Sequence, residues 1–381
     1  SDEFLDMTNP RKMMMGAAGV AGGNTLFRWG RNSAGQLGLG NTTSYSSPVQ
    51  LGDPGEWLAC ASGTHTMLLK KDYSLWACGQ GAKGALGDGT IANKSSPVQI
   101  GSLTDWSANL SVSKYGTTFA VKKDGTLWTW GHNANGLLGT GTDTTDVSSP
   151  VQVGSLTNWK QASIGRSAST AVKTDGTMWG WGLYFNGWGN TTNYSSPVQI
   201  GSLTSWLNVN NGADSGTCIR TDGLMFAWGQ SYFGIRGNGS TGSPTNDSSP
   251  VQVNGTGWNS LSQMTGWSAA ATNTAGKLYM WGRGADGGLG TGSTANVCVP
   301  TQVGALTDWG TFPISKTDGQ GPNMLVVKPN GTLWSWGIGE YGALGDGTTA
   351  NKSSPVQIGS LTTWVDGSCS SGDRVAAAFS E

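Results

Sequence analysis

The chain has 381 residues, a net charge of −1, only 12% charged residues, 62 glycines and 19 tryptophans. A near-neutral chain without a basic run is not expected to bind nucleic acid, and so many large aromatic side chains argue against a disordered chain. No stretch reaches the roughly 20 apolar residues that a membrane-spanning helix needs, so no membrane span is predicted.

The first predicted element is an extended N-terminal arm, residues 1–24. It has no strand pattern, and its glycines are costly to order. Its short apolar run is rich in glycine and preceded by acidic residues, so we do not interpret it as a secretory signal peptide. We expect the arm to attach the protein to neighbouring subunits of an assembly. The residues predicted to make these contacts are Phe4, Leu5, Arg11, Lys12, Met13, Met14 and Met15.

The remaining elements belong to a repeat that covers residues 25–381. A strand-like segment with a shared ending recurs seven times at intervals of roughly 50 residues, a spacing typical of propellers and arrays. The seven segments are LFRWG, LWACG, LWTWG, MWGWG, MFAWG, LYMWG and LWSWG, which end at Gly30, Gly79, Gly131, Gly182, Gly229, Gly282 and Gly337.

Each repeat contains four strand-like pieces, as the third copy shows. The segment WSANLSV is followed by GTTFAVKKDG and TLWTWG, which an Asp-Gly turn joins into a hairpin. A polar loop then leads to PVQVG, a short strand that Pro150 is predicted to open, as suits a sheet edge. Four short antiparallel strands in each of seven repeats predict an all-β, seven-bladed β-propeller.

The two ends of the chain lie at different phases of the repeat, so one blade must be shared between them. Two C-terminal strands, near Trp364–Cys369 and Arg374–Ser380, are predicted to combine with two N-terminal strands, near Thr25–Trp29 and Pro48–Leu51. This two-plus-two closure would remove the open sheet edge of an unclosed fan. The other six blades are contiguous in sequence.

Several repeated features are interpreted as scaffold. Residues 84–106 and 342–364 differ at only two positions, and a duplicated segment is a poor candidate for a unique contact. The tryptophans before the final glycine could form a ring of sugar-binding platforms, but packing between blades is the favoured interpretation. They are Trp130, Trp181, Trp228, Trp281 and Trp336, with Cys78 at this position in copy two.

No catalytic or metal site is predicted. The five cysteines are widely spaced, the only histidines are His65 and His132, and neither type forms a zinc-binding pattern. Cys60 and Cys78 are predicted in the first and third strands of one blade, too far apart for a disulfide. No Ser-His-Asp order, nucleophile elbow or carboxylate pair stands out, so the chain is predicted to be non-enzymatic and to need no cofactor.

The clearest departures from the repeat lie in the loops of copies four and five. Copy four is shortened, and both loops are rich in aromatic side chains. These rings could stack on sugars or anchor a protein, or they could fill the space left by the shortened loop. The candidate ligand-binding residues are Tyr184, Phe185, Trp188, Tyr194, Tyr232, Phe233 and Arg236.

These repeats resemble the regulator of chromosome condensation repeat family. The resemblance rests on HTMLLKKD at residues 65–72, AVKKDGTLWTWG at 120–131 and NANGLLGTGT at 133–142, and it extends from Thr25 to Glu381. It implies a seven-bladed propeller. The family's founder exchanges guanine nucleotide on a small GTPase through a wedge and acidic residues, and this sequence has no counterpart of either.

The resemblance leads to two expectations about function. Long repeats with SSPVQVGSLT phrasing resemble propellers predicted in bacteria and in phages, including marine phage virion proteins. We therefore expect a phage virion component, capsid-decorating or tail-associated, that is made in the host cytoplasm, exposed outside the cell and bound to other virion proteins through its arm. The alternative is a soluble lectin-like or inhibitor-like module whose aromatic loops bind a host-surface glycan or a protein.

Overall fold

The computed structural model describes residues 23–183, 187, 189, 192–212, 214–240, 247–261, 267–309, 323–370 and 374–381. The seven residues predicted for arm contacts lie outside these ranges. The described residues form 27 strands: β1 (Thr25–Gly30), β2 (Tyr45–Leu51), β3 (Trp57–Ser62), β4 (His65–Lys70), β5 (Leu75–Gly79), β6 (Lys94–Gln99), β7 (Trp106–Val112), β8 (Thr117–Lys122), β9 (Leu127–Gly131), β10 (Val147–Gln152), β11 (Trp159–Ile164), β12 (Ala168–Lys173), β13 (Met178–Gly182), β14 (Tyr194–Gln199), β15 (Trp206–Asn211), β16 (Ser215–Arg220), β17 (Met225–Gly229), β18 (Asp247–Gln252), β19 (Trp258–Leu261), β20 (Ser268–Asn273), β21 (Leu278–Gly282), β22 (Val297–Gln302), β23 (Asn323–Val327), β24 (Leu333–Gly337), β25 (Lys352–Gln357), β26 (Trp364–Ser370) and β27 (Val375–Ser380).

The strands form seven antiparallel sheets, which are the blades of a propeller. We number the blades by the Trp-Gly copy that each contains. Blade 1 has the order β2-β1-β27-β26, blades 2 to 6 each contain four consecutive strands from β3 to β22, and blade 7 shows β23-β24-β25 within the described residues. The predicted all-β, seven-bladed fold is therefore confirmed.

Blade 1 closes the ring. Its inner pair joins the two ends of the chain, with Leu26 of β1 opposite Phe379 of β27 along a continuous antiparallel register. Each chain end contributes two strands, so the predicted two-plus-two closure is also confirmed. This pairing completes the blade and closes the ring at the point where the chain ends meet.

The outer strands differ from the prediction in one respect. Pro150 does not open its strand, because β10 begins at Val147 and pairs with β9 from there. The pairing register shifts between Val147 and Val151, and Pro150 lies in this irregular stretch. A proline has no N–H to donate, and β10 is an edge strand, so the residue costs the sheet no ladder hydrogen bond.

The hydrophobic core lies between blades. A representative cluster joins Met67 and Leu69 of blade 2 to Trp106, Leu110 and Trp130 of blade 3. The repeated tryptophans are fully buried in such clusters, which confirms packing and not an exposed sugar-binding ring: Trp29, Trp130, Trp181, Trp228, Trp281 and Trp336. Cys60, Cys78, Cys218 and Cys298 form no disulfide, and Cys60 and Cys78 lie in the predicted strands.

The Lys-x-Asp-Gly-Thr-Leu-Trp phrase makes one contact set in several blades. In blade 3 the ammonium of Lys122 lies over the rings of Trp106 and Trp128, 5.1 and 4.5 Å from their centroids. Asp124 accepts hydrogen bonds from the backbone and hydroxyl of Thr126, whose oxygen accepts from the Trp128 indole. Cation–π attraction and an Asx turn therefore fix this hairpin.

Candidate functional site: the loop face

Antiparallel blades give the propeller two different ends. The turns between second and third strands lie at one end, which we call the hairpin face. The turns between first and second strands, and the long loop after each Trp-Gly ending, lie at the other end, which we call the loop face. The long loops vary in sequence, so the loop face is where a site could be built on the constant scaffold.

Outside blade 4, a glycine in the long loop packs closely against the next blade, and the carbonyl that follows it accepts a hydrogen bond from that blade, as blade 3 shows. Gly136 has φ +73°, and a Cβ there would lie 2.7 Å from the Cα of Ser195 in blade 4. The next residue, Leu137, accepts hydrogen bonds at its carbonyl from the Trp181 indole at 2.7 Å and the Ser169 hydroxyl at 3.0 Å. Only glycine allows this approach, so its position is fixed by the packing of neighbouring blades.

In five blades the residue before this glycine adopts a left-handed conformation. Among the described residues, seven non-glycine residues have positive φ, and five of them occupy this position with φ between 58° and 61°: Lys83, Asn135, Phe233, Asp286 and Tyr341. Asparagine and aspartate tolerate such backbone angles, whereas bulky side chains do so at a cost. Phe233 and Tyr341 nonetheless occupy this position, and their side chains are 36% and 41% exposed.

The junction of blades 5 and 6 carries an aromatic cluster on this face. The ring of Phe233 lies 5.5 Å from that of Trp267 and 6.4 Å from that of Tyr232, between centroids. The guanidinium of Arg283 lies over both Phe233 and Trp267, at 5.7 and 5.4 Å. Tyr232 is exposed. The cluster presents flat apolar surface beside a positive charge.

A second cluster lies where blade 7 meets blade 1. The ring of Tyr341 lies near the guanidinium groups of Arg31 and Arg374, whose carbon atoms are 5.5 and 5.7 Å from its centroid. Arg374 forms an ion pair with Glu340. We call these four residues the seam cluster.

The junction of blades 2 and 3 is polar instead. Lys83 Nζ lies 3.2 Å from His132 Nε2, and His132 Nδ1 lies 3.0 Å from Asp146 Oδ1. The Asp146 carboxylate also accepts the backbone N–H of Asn133. The same structural position therefore carries a different chemistry at each of these three junctions.

The predicted ligand-binding residues do not form one described group. Tyr232 and Phe233 come together on the loop face, whereas Tyr194 begins β14 and packs half-buried against the core of blades 3 and 4. Arg236 is only 2% exposed, and burial lowers the pKa of its guanidinium. Tyr184, Phe185 and Trp188 lie outside the described residues. A ligand-binding role for the set stays a prediction.

The blade 4 loop is shorter in sequence than the loop of blade 3. Gly187 takes the place of Gly139, since each faces the buried tryptophan of the next blade, but it follows Gly182 by five residues where Gly139 follows Gly131 by eight. In the described part of the chain the Trp228 indole N–H, buried in blade 5, finds no acceptor.

Sequence reasoning missed the seam cluster, Trp267 and Arg283. A signal was present, because the residue before each loop glycine changes from copy to copy while its neighbours recur. Within the described residues, no three His, Cys, Asp or Glu side chains form a group that could hold a metal ion. No helix in the described part is long and apolar enough to cross a membrane.

The sequence is similar to a known repeat family and to proteins of plants and animals. The family model of the Regulator of chromosome condensation (RCC1) repeat matches residues 24–69, 124–172, 275–312 and 330–377. The ultraviolet-B receptor UVR8 of Arabidopsis thaliana is 28% identical over 363 residues, which cover 92% of this chain and 70% of the receptor. A 93-residue segment is 37% identical to the human E3 ubiquitin-protein ligase HERC2, covering 24% of this chain and 2% of the ligase.

Among solved structures, yeast RCC1 (Prp20) bound to Kap60 has the same fold. Its TM-score is 0.79 at 18% identity, and the match covers 98% of this chain and 92% of that one. The sequence matches support RCC1-like repeats in this chain, and the structural match supports the propeller fold.

Proposed function

We propose that this protein is a non-enzymatic binding module that holds a protein partner on its loop face. The observation that carries the proposal is the presence of Phe233 and Tyr341 as exposed aromatic residues in a left-handed conformation. Such strain costs on the order of 1–3 kcal/mol per residue and is typical of functional sites. Exposed aromatic side chains beside arginine are the usual anchors of protein interfaces.

The contacts on the hairpin face favour the loop face as the binding surface. Its lysines, aspartates and tryptophans mostly contact one another, as in the Lys122 group, so their chemistry is used within the fold. The loop face instead exposes rings and guanidinium groups. Yeast Prp20, a propeller of the same fold, was crystallised bound to the protein Kap60, so this architecture is compatible with a protein partner.

The experiment compares partners captured by three full-length baits in extracts of the cells that make the protein. The baits are the wild type, the loop-face variant Phe233→Asn/Tyr341→Asn, and the hairpin-face control Leu203→Ser/Leu306→Ser, which changes two exposed leucines. We expect at least one partner, identified by mass spectrometry, to be lost only from the loop-face variant. An identical partner set for all three baits would contradict the proposal.

The lectin-like alternative is favoured by the exposed rings of Tyr232 and Phe233, because aromatic faces also stack on sugars. A glycan array separates the two functions. A signal that the wild type gives and Phe233→Asn loses would favour glycan over protein.

The virion hypothesis depends on residues 1–24, most of which lie outside the described residues, and stays a prediction, as do capsid or tail location and extracellular exposure. Its test is removal of residues 1–23. We expect the remaining propeller to fold as a monomer and to fail to join the particle. Normal assembly without the arm would contradict this hypothesis and leave the binding-module proposal untouched.

A further inference from the structure

The seam cluster is assembled from three separate parts of the chain. Arg31 follows β1 near the N-terminus, Glu340 and Tyr341 lie in the turn after β24, and Arg374 precedes β27 near the C-terminus. The backbone N–H of Arg31 donates to the carbonyl of Arg374 at 2.9 Å, which ties the two ends together. The cluster therefore exists only in the closed ring.

Two features set this cluster apart from the other described junctions. Tyr341 and Arg374 are both in the left-handed region, with φ of 58° and 53°, and they contact each other. The cluster also holds two guanidinium groups around one ring, where the junction of blades 5 and 6 has one. Two strained residues in contact at a surface indicate a geometry kept for binding.

The charges of the cluster are unbalanced. Glu340 forms an ion pair with Arg374 at 2.6 Å, and its side chain is 51% exposed. Arg31 donates from Nε to Ser33 Oγ and lies over Tyr341, and no carboxylate among the described residues pairs with it. The Nε of Arg374 is buried without an acceptor in the described part of the chain. The four side chains thus carry a net charge of about +1, and no described carboxylate engages the guanidinium of Arg31.

We propose that the seam cluster binds an oxyanion of the partner, a carboxylate or a phosphate, between Arg31 and Arg374. Guanidinium groups bind such anions with strong, charge-assisted hydrogen bonds in a fixed geometry. Tyr341 holds the two groups by cation–π contact, and Glu340 competes with the ligand for Arg374. This inference rests on the proposed function and names the chemistry that the loop face recognises.

The test is a titration of full-length protein with sodium phosphate and with sodium glutamate, followed by NMR of the arginine Nε–Hε groups. Ionic strength is held constant with sodium chloride. Arg31→Lys and Arg374→Lys assign the two signals. We expect both signals to shift and saturate with one dissociation constant. The anion with the lower constant identifies the source, phosphate for a phosphorylated partner and glutamate for an acidic one.

Three variants are expected to change the dissociation constant of the anion in different ways. Arg31→Gln should weaken anion binding at least about tenfold, the loss expected for a charged hydrogen bond. Glu340→Gln should tighten it about threefold, because it removes a repelling and competing charge. Lys83→Gln removes one positive charge from the same face at another junction and should change the constant less than about twofold.

Absence of saturable shifts would overturn the inference, and so would equal weakening by Arg31→Gln and Lys83→Gln. Thermal unfolding of each variant establishes that it is folded. The two proposals fail separately. If the wild type captures a partner that the loop-face variant loses, but neither anion binds, the proposed function stands and the oxyanion site is wrong.

Discussion

The two faces of the propeller differ in what is repeated from blade to blade. On the hairpin face the same contact recurs, with a lysine ammonium over two tryptophan rings in four blades: Lys70, Lys122, Lys173 and Lys328. On the loop face one backbone position recurs, but its side chain changes among lysine, asparagine, aspartate, phenylalanine and tyrosine. A contact that recurs in four blades serves the fold, whereas a side chain that differs from junction to junction is not required by it.

This comparison separates residues that stabilise the ring from residues that are free to bind. If it is right, changes at the repeated contacts should lower the free energy of unfolding. Changes at the variable position should leave that free energy unchanged or raise it.

The largest effect is expected from breaking ring closure. Deleting Val375–Glu381 removes β27, and with it the buried side chains of Ala376, Ala378 and Phe379 and the pairing partner of both β1 and β26. All junctions depend on a closed ring, so the cooperative unfolding transition should be lost or its midpoint lowered by more than about 10 °C. Differential scanning calorimetry measures this. Deletion of Glu381 alone is the control and should melt like the wild type.

The second prediction concerns the glycine that fastens each loop to the next blade. Gly136→Ala should destabilise by about 3 kcal/mol or more, because a left-handed alanine costs about 1–2 kcal/mol and its methyl group would overlap the backbone of Ser195. Gly154→Ala is a matched control in the same blade, since Gly154 has φ +59° but open space around its Cα. It should cost only about 1 kcal/mol. Equal losses in urea unfolding would show that the fastening contact is unimportant.

His65 provides a pH-dependent test of the scaffold. Burial lowers its pKa to about 4, and its Nε2 lies 2.6 Å from Thr118 Oγ1 across the junction of blades 2 and 3. The Thr118 hydroxyl donates to Ala85 O, so His65 donates from Nε2. The lowered pKa keeps the imidazole neutral in the folded state at neutral pH. The unfolded chain takes up a proton near pH 6.5, which the folded chain does not until about pH 4.

Stability should therefore fall by about 3 kcal/mol as the pH falls from about 6.5 to about 4, and no further on account of this group. Urea unfolding at a series of pH values measures the slope. His65→Gln should remove this component and leave the part due to carboxylates such as Asp124, which titrate lower. A variant with the wild-type slope would show that His65 does not cause it.

The junction of blades 1 and 2 is the exception within the scaffold. Cys78 replaces the repeated tryptophan, and the buried guanidinium of Arg28 donates to Gln36 O at 2.9 Å and to the Thr66 hydroxyl at 2.8 Å. Gln36 O is the counterpart of Leu137 O, the acceptor for Trp181. Arginine therefore supplies both the volume and the hydrogen bond that the missing indole would provide.

This substitution predicts coupled stabilities. Arg28→Thr and Cys78→Trp should each destabilise, by leaving a cavity and by overfilling the junction respectively. Together they recreate the combination found at the corresponding positions of blades 3 and 4, which is Thr129 in β9 and Trp181 in β13. We expect a coupling energy of about 1–3 kcal/mol in a double-mutant cycle. Additive losses would mean that the two positions are independent.

The sequence predicted the fold well because its signals are local and repeated. The Asp-Gly turns, the alternating strands and the Trp-Gly endings each report on one blade, and seven copies make the pattern unambiguous. The closing blade followed from the phase of Thr25 and Ser380 alone. Pro150 was misplaced because the edge strand tolerates a proline within it, a tolerance that only the pairing register reveals.

The candidate site was predicted less well because it is assembled from distant segments. Arg31, Tyr341 and Arg374 look unremarkable in sequence, and only ring closure brings them together. Phe233 was found because aromatic residues crowd one loop, whereas its partner Arg283 lies a whole blade further along the chain. Arg236 was grouped with Tyr232 by sequence proximity, but its side chain turns into the interior.

The smallest predicted effect is the most informative about function, because its sign separates the two faces. Asparagine is tolerated in the left-handed conformation, as Asn135 shows at this same position in blade 3 with φ 58°. Phe233→Asn and Tyr341→Asn should therefore raise the free energy of unfolding by about 0.5–1 kcal/mol each, since relief of strain exceeds the modest contacts that a half-exposed ring loses. Lys122→Met, which replaces a repeated contact on the hairpin face, should lower that free energy.

Urea unfolding of the three variants gives the sign of each change in the free energy of unfolding, and the capture experiment shows whether the partner is lost. A variant that is more stable and has lost its partner would show that the ring is kept for binding. A loss of stability above about 1 kcal/mol at Phe233 or Tyr341 would instead assign that ring to packing, and the contrast between the two faces would not hold there.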